Sequence, residues 1–306
     1  QILGNQFVGW PAEGGWSVPQ AAVIADIRFP RVIMGMLAGA ALSATGAVLQ
    51  SLVRNPLADP YLLGVSGGAS SGAAAVILFG SAMLVSSVGI AASAFAGAAI
   101  ATLLVLALSH TGGRPTPTRL VLAGVTVGYL LHALTSFLVF ASDTPEGART
   151  VMFWLLGSLA MATTGALPVL ALVVVLGIAV LIFTSRSLDA LDLGDETAAT
   201  LGIDPDRLRR RLLLICALLI GTSVANVGCI GFVGLVVPHI ARRCVGAGHR
   251  YLIPVSAFMG ATFLVIADVA ARTLMQPHEL PIGIITAFVG TPLLIRHVAR
   301  MGDGTS

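Results

Sequence analysis

Nine apolar runs divide the chain, at roughly residues 30–53, 62–80, 85–109, 118–141, 166–184, 211–228, 230–246, 251–272 and 281–298. Each approaches the length an α-helix needs to cross a hydrocarbon layer of about 30 Å. Lipid offers no water to backbone amides, so a spanning segment must be a helix or part of a closed barrel, and barrel strands would alternate in polarity, which these runs do not. The chain is therefore expected to be all-α, one polytopic transmembrane bundle over residues 1–306. Hydrophobic content of 56%, charged content of 10% and a mean hydropathy of +0.94 exclude a soluble domain of this size. The 35 glycines, with many Ala and Ser, suit helices that pack closely where lipid removes the hydrophobic drive between them.

Two runs depart from this pattern. The one at 230–246 is interrupted by Gly234 and Pro238 and is expected to kink or unwind. Val151 to Met161 is too short to span and reads as a helix at one surface. Ahead of the first run, residues 1–20 hold Trp10, Pro11, Trp16 and Pro19, as an extramembrane segment with interfacial anchors would. The chain starts without Met, and a further span is expected before Gln1.

All 17 cationic side chains are arginine. Without lysine there is neither a Walker A contact to a nucleotide phosphate nor a Schiff base. With the chain beginning outside, 13 arginines fall on the inner face (54, 114, 119, 186, 207, 209, 210, 211, 242, 243, 250, 296 and 300) and four, Arg28, Arg31, Arg149 and Arg272, on the outer. The positive-inside rule then fixes the orientation. Cys216, Cys229 and Cys244 lack metal-ligand spacing and read as packing residues, so no metal site is expected.

Residues 195–211, DETAATLGIDPDRLRRR, form the one long polar stretch in the middle of the chain. Asp195 and Glu196 favour a helix start, Gly202 a stop, and Asp204-Pro205 a second start, so two short helices meeting at a glycine corner are expected on the inner face. A partner gripping this element and an ordinary solvated loop are both compatible with the residues.

Of the 14 carboxylates only Asp268 lies well inside an apolar run, one turn from Arg272, which argues against a proton-driven transporter. Gly64, Ser66 and Gly68 spell the nucleophile pattern of a serine hydrolase, and His132 in another span would be its base; a small-residue helix start explains the same residues better. His132 alone is read as a satisfied interior histidine rather than a haem ligand. Arg28 and Arg31 around Pro30, and Arg272, anchor helix ends in headgroups or pair with an external partner's carboxylates. The Pro/Gly-rich turns 55–60 and 112–118 are helix stops, with a hinge or plug as the alternative.

Several longer stretches, in order, carry a resemblance: RFPR at 28–31, GAVLQ at 46–50, RNPLADP at 54–60, LGVSGG at 63–68, LAG at 122–124, FWLLGS at 153–158, GFVGLVVPH at 231–239, Ala267-Asp268 with Arg272, and ELPIG at 279–283. From about Arg28 to Arg296 the chain resembles the permease subunits of bacterial type II ABC importers for iron-siderophores, haem and cobalamin. The resemblance implies a ten-helix subunit of the inner (cytoplasmic) membrane, here with nine visible spans and the first missing. It implies a second permease copy, two cytoplasmic ATP-binding subunits, a periplasmic substrate-binding protein and surrounding lipid, with no nucleic acid. This chain would have no catalytic residue and bind no cofactor, ATP and Mg residing in the ATPase. It assigns docking of the binding protein to Arg28, Arg31 and Arg272. Coupling helices at about 192–211 would carry ATPase contacts through Asp195, Glu196, Thr200, Leu201, Gly202, Ile203 and Asp204. The cytoplasmic gate would be Asn55, Pro56 and Leu57 with Thr116, Pro117 and Thr118. The cargo expected is an iron chelate, haem or ferric siderophore, ahead of cobalamin; His132, Met161, His239 and His278 point toward haem. A secondary transporter, channel or intramembrane protease remain the other classes.

Overall fold

The computed structural model describes residues 17–81, 83–110, 116–160 and 162–302. Among the described residues twelve α-helices follow one another: α1 Val18–Leu52, α2 Val65–Phe79, α3 Ser87–His110, α4 Pro117–Phe140, α5 Pro145–Leu155, α6 Leu167–Phe183, α7 Ser185–Asp192, α8 Asp195–Thr200, α9 Pro205–Val227, α10 Val233–Val245, α11 His249–Thr273 and α12 Ile282–Gly302. No strand occurs among the described residues. Trp10, Pro11, Trp16, the turn residues 112–115 and Met161, read from the sequence above, lie outside them.

Among the described residues six helices, α1, α3, α4, α9, α11 and α6 with its preceding turn, are long and apolar enough to cross a membrane. Three of the nine runs give shorter helices. α2 has 15 residues, and α10, from the run at 230–246, has 13 residues or about 20 Å. That run loses its first turn because Gly228 and Phe232 both adopt positive φ, 72° and 68°, which breaks the helical ladder ahead of Val233. The apolar part of α12, Ile282–Arg296, is likewise short of a full span. The surface helix comes earlier than expected, over Pro145–Leu155, because Thr144-Pro145 supplies an N-terminal start and Gly157 (φ 74°) ends it.

α1 is longer than its apolar run: 35 residues, about 52 Å. Over Val23–Arg28 it widens into a π-helix, with the Phe29 N–H donating to the Ile24 carbonyl. The adjacent Pro30 has no N–H to continue the normal ladder, which accounts for the change of register there. From Ala41 to Leu52 every residue is buried. A helix buried on all sides is a core helix, and α6, α9, α10 and α11 surround this one. Its small side chains permit that. A Cβ on Gly39 would collide with the Gly260 carbonyl of α11, and one on Gly46 with Gly234 of α10, so backbones touch at two levels. Thr45 returns its hydroxyl to the Ala41 carbonyl at 2.7 Å, so this polar group is satisfied within its own helix.

Gly39→Leu is expected to force α1 and α11 apart and to abolish a monodisperse, detergent-purified protein, whereas Gly165→Leu, where added atoms meet nothing, leaves it intact. Size-exclusion profiles of the two variants check this.

Candidate functional site

The polar groups concentrate at the two ends of α1. At the inner end, the segment expected to couple to a partner is built from α7, α8 and the start of α9. Gly194, at φ 120°, turns the chain between α7 and α8; Gly202, at φ 78°, turns it again before Asp204, whose carboxylate accepts the Asp206 and Arg207 N–H groups at 3.1 Å and caps α9. The predicted start at Asp195, stop at Gly202 and restart at Asp204-Pro205 are all present. The second helix is not short, however. Nothing after Pro205 breaks it, since Arg207 to Leu214 are good helix formers, and it runs 23 residues into the bundle.

Asp195 is the tether of this segment. Its carboxylate receives a two-pronged bond from Arg209 of α9, at 2.8 and 2.6 Å, and a further bond from Arg54 just past α1. Arg209 is a large, fully buried side chain (1% exposed), so Asp195 neutralises a charge that water cannot reach. The Arg209 hydrogen bonds hold the Asp195 carboxyl below the usual carboxylate range, against the opposing effect of burial, with Arg54 adding to the pull. Arg54 sits at φ 49° and also reaches the Leu191 carbonyl at 3.1 Å. The residue that opens the expected gate loop is thus bonded directly to the coupling segment.

A second tether, which the sequence reading missed, is His249 at the start of α11. It is fully buried; its Nδ1 lies 2.6 Å from Asp189 Oδ1 of α7 and its Nε2 2.7 Å from Ser51 Oγ of α1, and Ser51 also reaches Asp192 at 3.3 Å. A carboxylate only accepts, so Nδ1 carries the proton facing Asp189. The one signal available was a histidine at the first position of a span, after Gly246 and Gly248.

Asn55, Pro56 and Leu57 are exposed; Asn55 Oδ1 accepts the Leu57 N–H at 2.9 Å, and Pro56 and Leu57 line a cavity of about 170 Å³ with Leu235, Val236 and His239 of α10. Thr116 caps α4, with Pro117 and Thr118 behind it, and faces a different space: a groove of about 1030 Å³ around the coupling corner, with Asp195, Glu196, Ile203 and Arg210. The two expected gate segments line different cavities in this chain. Glu196, Thr200, Leu201, Gly202 and Asp204 are exposed, and Leu193 and Leu201 present apolar side chains at 71% and 63% exposure on an otherwise polar element.

At the outer end, Arg28 is exposed on α1. Arg31 is not: it is 8% exposed and grips Asp268 of α11 (2.9 and 2.8 Å) and Glu279 of the following loop (3.2 and 3.0 Å). Arg272 adds an Nε bond to Asp268 at 3.1 Å and remains partly exposed. The three arginines are therefore unequal: Arg28 and Arg272 face outward, and Arg31 is held by the chain's own carboxylates. Asp268 pairs with Arg272 as expected, and with Arg31 as well.

Other readings find little geometry. Ser66 lies inside α2 with no hydrogen bond to a histidine, and Gly67 and Gly68 are there for contact with Gly128 and Gly97. His132 is exposed on α4 rather than interior, because the face of α4 carrying Tyr129 and Leu130 has no neighbour in this chain. No cluster of metal-ligating side chains occurs among the described residues.

Residues 8–300 match the FecCD transport family. The chain belongs to that family. It is 43% identical over 290 residues to the cobalamin import system permease protein of Halobacterium salinarum, covering 94% of this chain and 77% of the relative. It is 38% identical over 283 residues to the hemin transport system permease protein of Yersinia pestis, covering 92% and 84%. The fold matches a solved structure titled as an inward-facing conformation of a metal-chelate type ABC transporter, with a TM-score of 0.85, 33% identity and coverage of 94% and 91%. The chain is thus a multi-pass ABC importer permease of the inner (cytoplasmic) membrane, in a family whose members carry iron chelates, haem or cobalamin.

Asp195 stabilises the permease only while ionised, so its contribution is present above the usual carboxylate pKa and lost as pH falls through its lowered value. Asp195→Asn is expected to cost about 2 kcal/mol at neutral pH, less than for a fully buried pair because Asp195 is half-exposed. Thermal midpoints of the two proteins should converge as the pH drops below about 4.

Proposed function

We propose that this permease moves an iron chelate, haem or a ferric siderophore, from the periplasm to the cytoplasm, driven by ATP hydrolysed in separate subunits. Family membership implies a permease dimer with ATPase partners. The observation that supports the ATPase site best is the pair of exposed leucines, Leu193 and Leu201, on a segment bonded to the membrane helices through Asp195. An apolar knob on a polar cytoplasmic loop is the anchor a partner groove takes up, and a tethered one transmits force.

In this mechanism the closing ATPase dimer carries ATP and Mg and shifts α8. The shift passes through Asp195 to Arg209 and Arg54, hence to α9 and to the loop Asn55–Leu57, while His249 keeps α7 in step with α1 and α11. Thr116 to Thr118 act beside the coupling groove. A loaded substrate-binding protein docks by its carboxylates on Arg28 and Arg272 at the outer end, with Arg31 beneath them. Work enters as a difference in binding between states; a nucleotide equally bound to both would move nothing. This chain contributes no catalytic residue and no cofactor site.

Cobalamin is the second reading, favoured by the identity to the halobacterial relative, which exceeds that to the hemin permease. The permease reconstituted in liposomes with its ATPase and binding protein, and offered haem, a ferric siderophore and cobalamin in parallel, separates the readings. Uptake of an iron chelate that stops when the ATPase is omitted is the expected result. Uptake of cobalamin alone replaces the cargo, and uptake of any of the three without ATPase overturns the mechanism. Leu201→Glu should reduce ATPase co-purification more than ten-fold without affecting the membrane fold.

A further inference from the structure

The outer end contains a contact that docking alone does not explain. Arg31 has its whole fork filled from within: Nε and one terminal nitrogen serve Asp268, and both terminal nitrogens serve Glu279. The two carboxylates are not equivalent. Asp268 is 3% exposed, lies on α11 and also binds Arg272, so it is part of the bundle. Glu279 is 47% exposed and comes from the loop 274–281, where among the described residues it bonds Arg31 alone. Two guanidiniums and two carboxylates balance in this cluster. Without Glu279, Asp268 would face two arginines and one positive charge would be left at a nearly buried site, a state that calls for another carboxylate.

We infer that Glu279 is a resident stand-in for the carboxylate of the docking partner, closing the Arg31 fork in the isolated permease and leaving it when an acidic partner arrives. This rests on the reading of the outer arginines as the docking site. An incoming carboxylate first meets the exposed Arg28 and the partly exposed Arg272, then exchanges with Glu279 on Arg31, so the buried guanidinium is never without a partner. The exchange frees the loop, and the loop is wired inward: the Leu280 N–H donates to the Ala271 carbonyl, the Ile282 and Gly283 N–H groups donate to the Gly157 and Leu156 carbonyls at 3.1 and 3.0 Å, and the next residue, Ser158, donates to Val227 at the broken end of α9. Docking would thereby reach the interior through backbone bonds.

The inference makes a prediction opposite to that of a simple structural salt bridge. Glu279→Gln keeps the size and leaves the Arg31–Asp268 pair in place, but its amide is a weaker competitor. Its affinity for the cognate substrate-binding protein, read by surface plasmon resonance on the permease–ATPase complex in nanodiscs, is expected to rise about ten-fold, within the usual range of coupled sites. Asp143→Asn, the same charge change on the exposed outer loop before α5, should change it less than two-fold, which separates displacement from general electrostatics. Arg28→Glu should weaken binding at least ten-fold. Unchanged or weaker binding by Glu279→Gln, with Arg28→Glu still weakening it, overturns the stand-in while leaving the docking site. An equal rise in Asp143→Asn also overturns it. Arg28→Glu binding like wild type overturns the docking reading itself.

Discussion

A helix buried on all sides in a membrane protein has to be thin. α1 meets that requirement with small residues, and the remainder of the bundle is arranged on it. Gly39 against Gly260 and Gly46 against Gly234 bring backbones into contact on two faces, where packing replaces the hydrophobic drive absent in lipid. The same helix then extends beyond the apolar layer at both ends. Arg31 lies near one end, and Gln50, Ser51 and Arg54 at the other, some twenty residues or about 30 Å apart. The outer ion cluster and the inner tethers therefore hang from a single rod.

The two ends use charge differently. At the inner end Asp195 holds the fully buried Arg209 and the exposed Arg54, and in doing so fixes a segment whose other side is open to a partner. Hydrogen bonds to a neutral amide supplement it: Gln50 donates to the Leu235 carbonyl and accepts from Arg242, both at 3.2 Å, which ties α1 to α10. At the outer end the Arg31 guanidinium and the Asp268 carboxylate are both buried, and the half-exposed Glu279 is a second carboxylate on the same fork. A half-exposed carboxylate on a loop is the part of such a cluster that can leave, because water stabilises it once it has left.

The fold class was legible because span length and the absence of alternation depend only on local composition. So was the coupling corner, since Asp195, Gly202, Asp204 and Pro205 act through their own backbone geometry. Helix lengths were less legible: apolar run length includes backbone that unwinds, as at 228–232, and omits polar turns such as residues 18–28 of α1 or 205–210 of α9. The arginine run 207–211 suggested a short element when it was the start of a membrane helix. The pairings that define the site were out of reach. Arg31 and Glu279 stand 248 residues apart, and Ser51 and His249 198 apart, and no spacing rule connects residues across that many helices. Arginine 31 read as outward-facing for the same reason: its neutralising partners lie elsewhere in the chain.

A rod transmits position but has no second arrangement, and coupling between two sites needs an element with two. The broken segment between α9 and α10 is better suited. In lipid its freed amides and carbonyls must find partners inside the protein, as the Ile230 N–H does on the Tyr61 hydroxyl at 2.6 Å and the Val227 carbonyl on the Ser158 N–H at 2.9 Å, and just beyond it, inside α10, the Leu235 carbonyl accepts from Gln50. One partner belongs to the turn that follows the gate loop, one to the segment bonded to the outer loop, and one to α1. α10 itself then lines the cavity beside Pro56 and Leu57. Contacts from both ends thus converge on a stretch of the interior whose backbone is not locked in a helix, and it is there that a change at either end can alter which bonds are made.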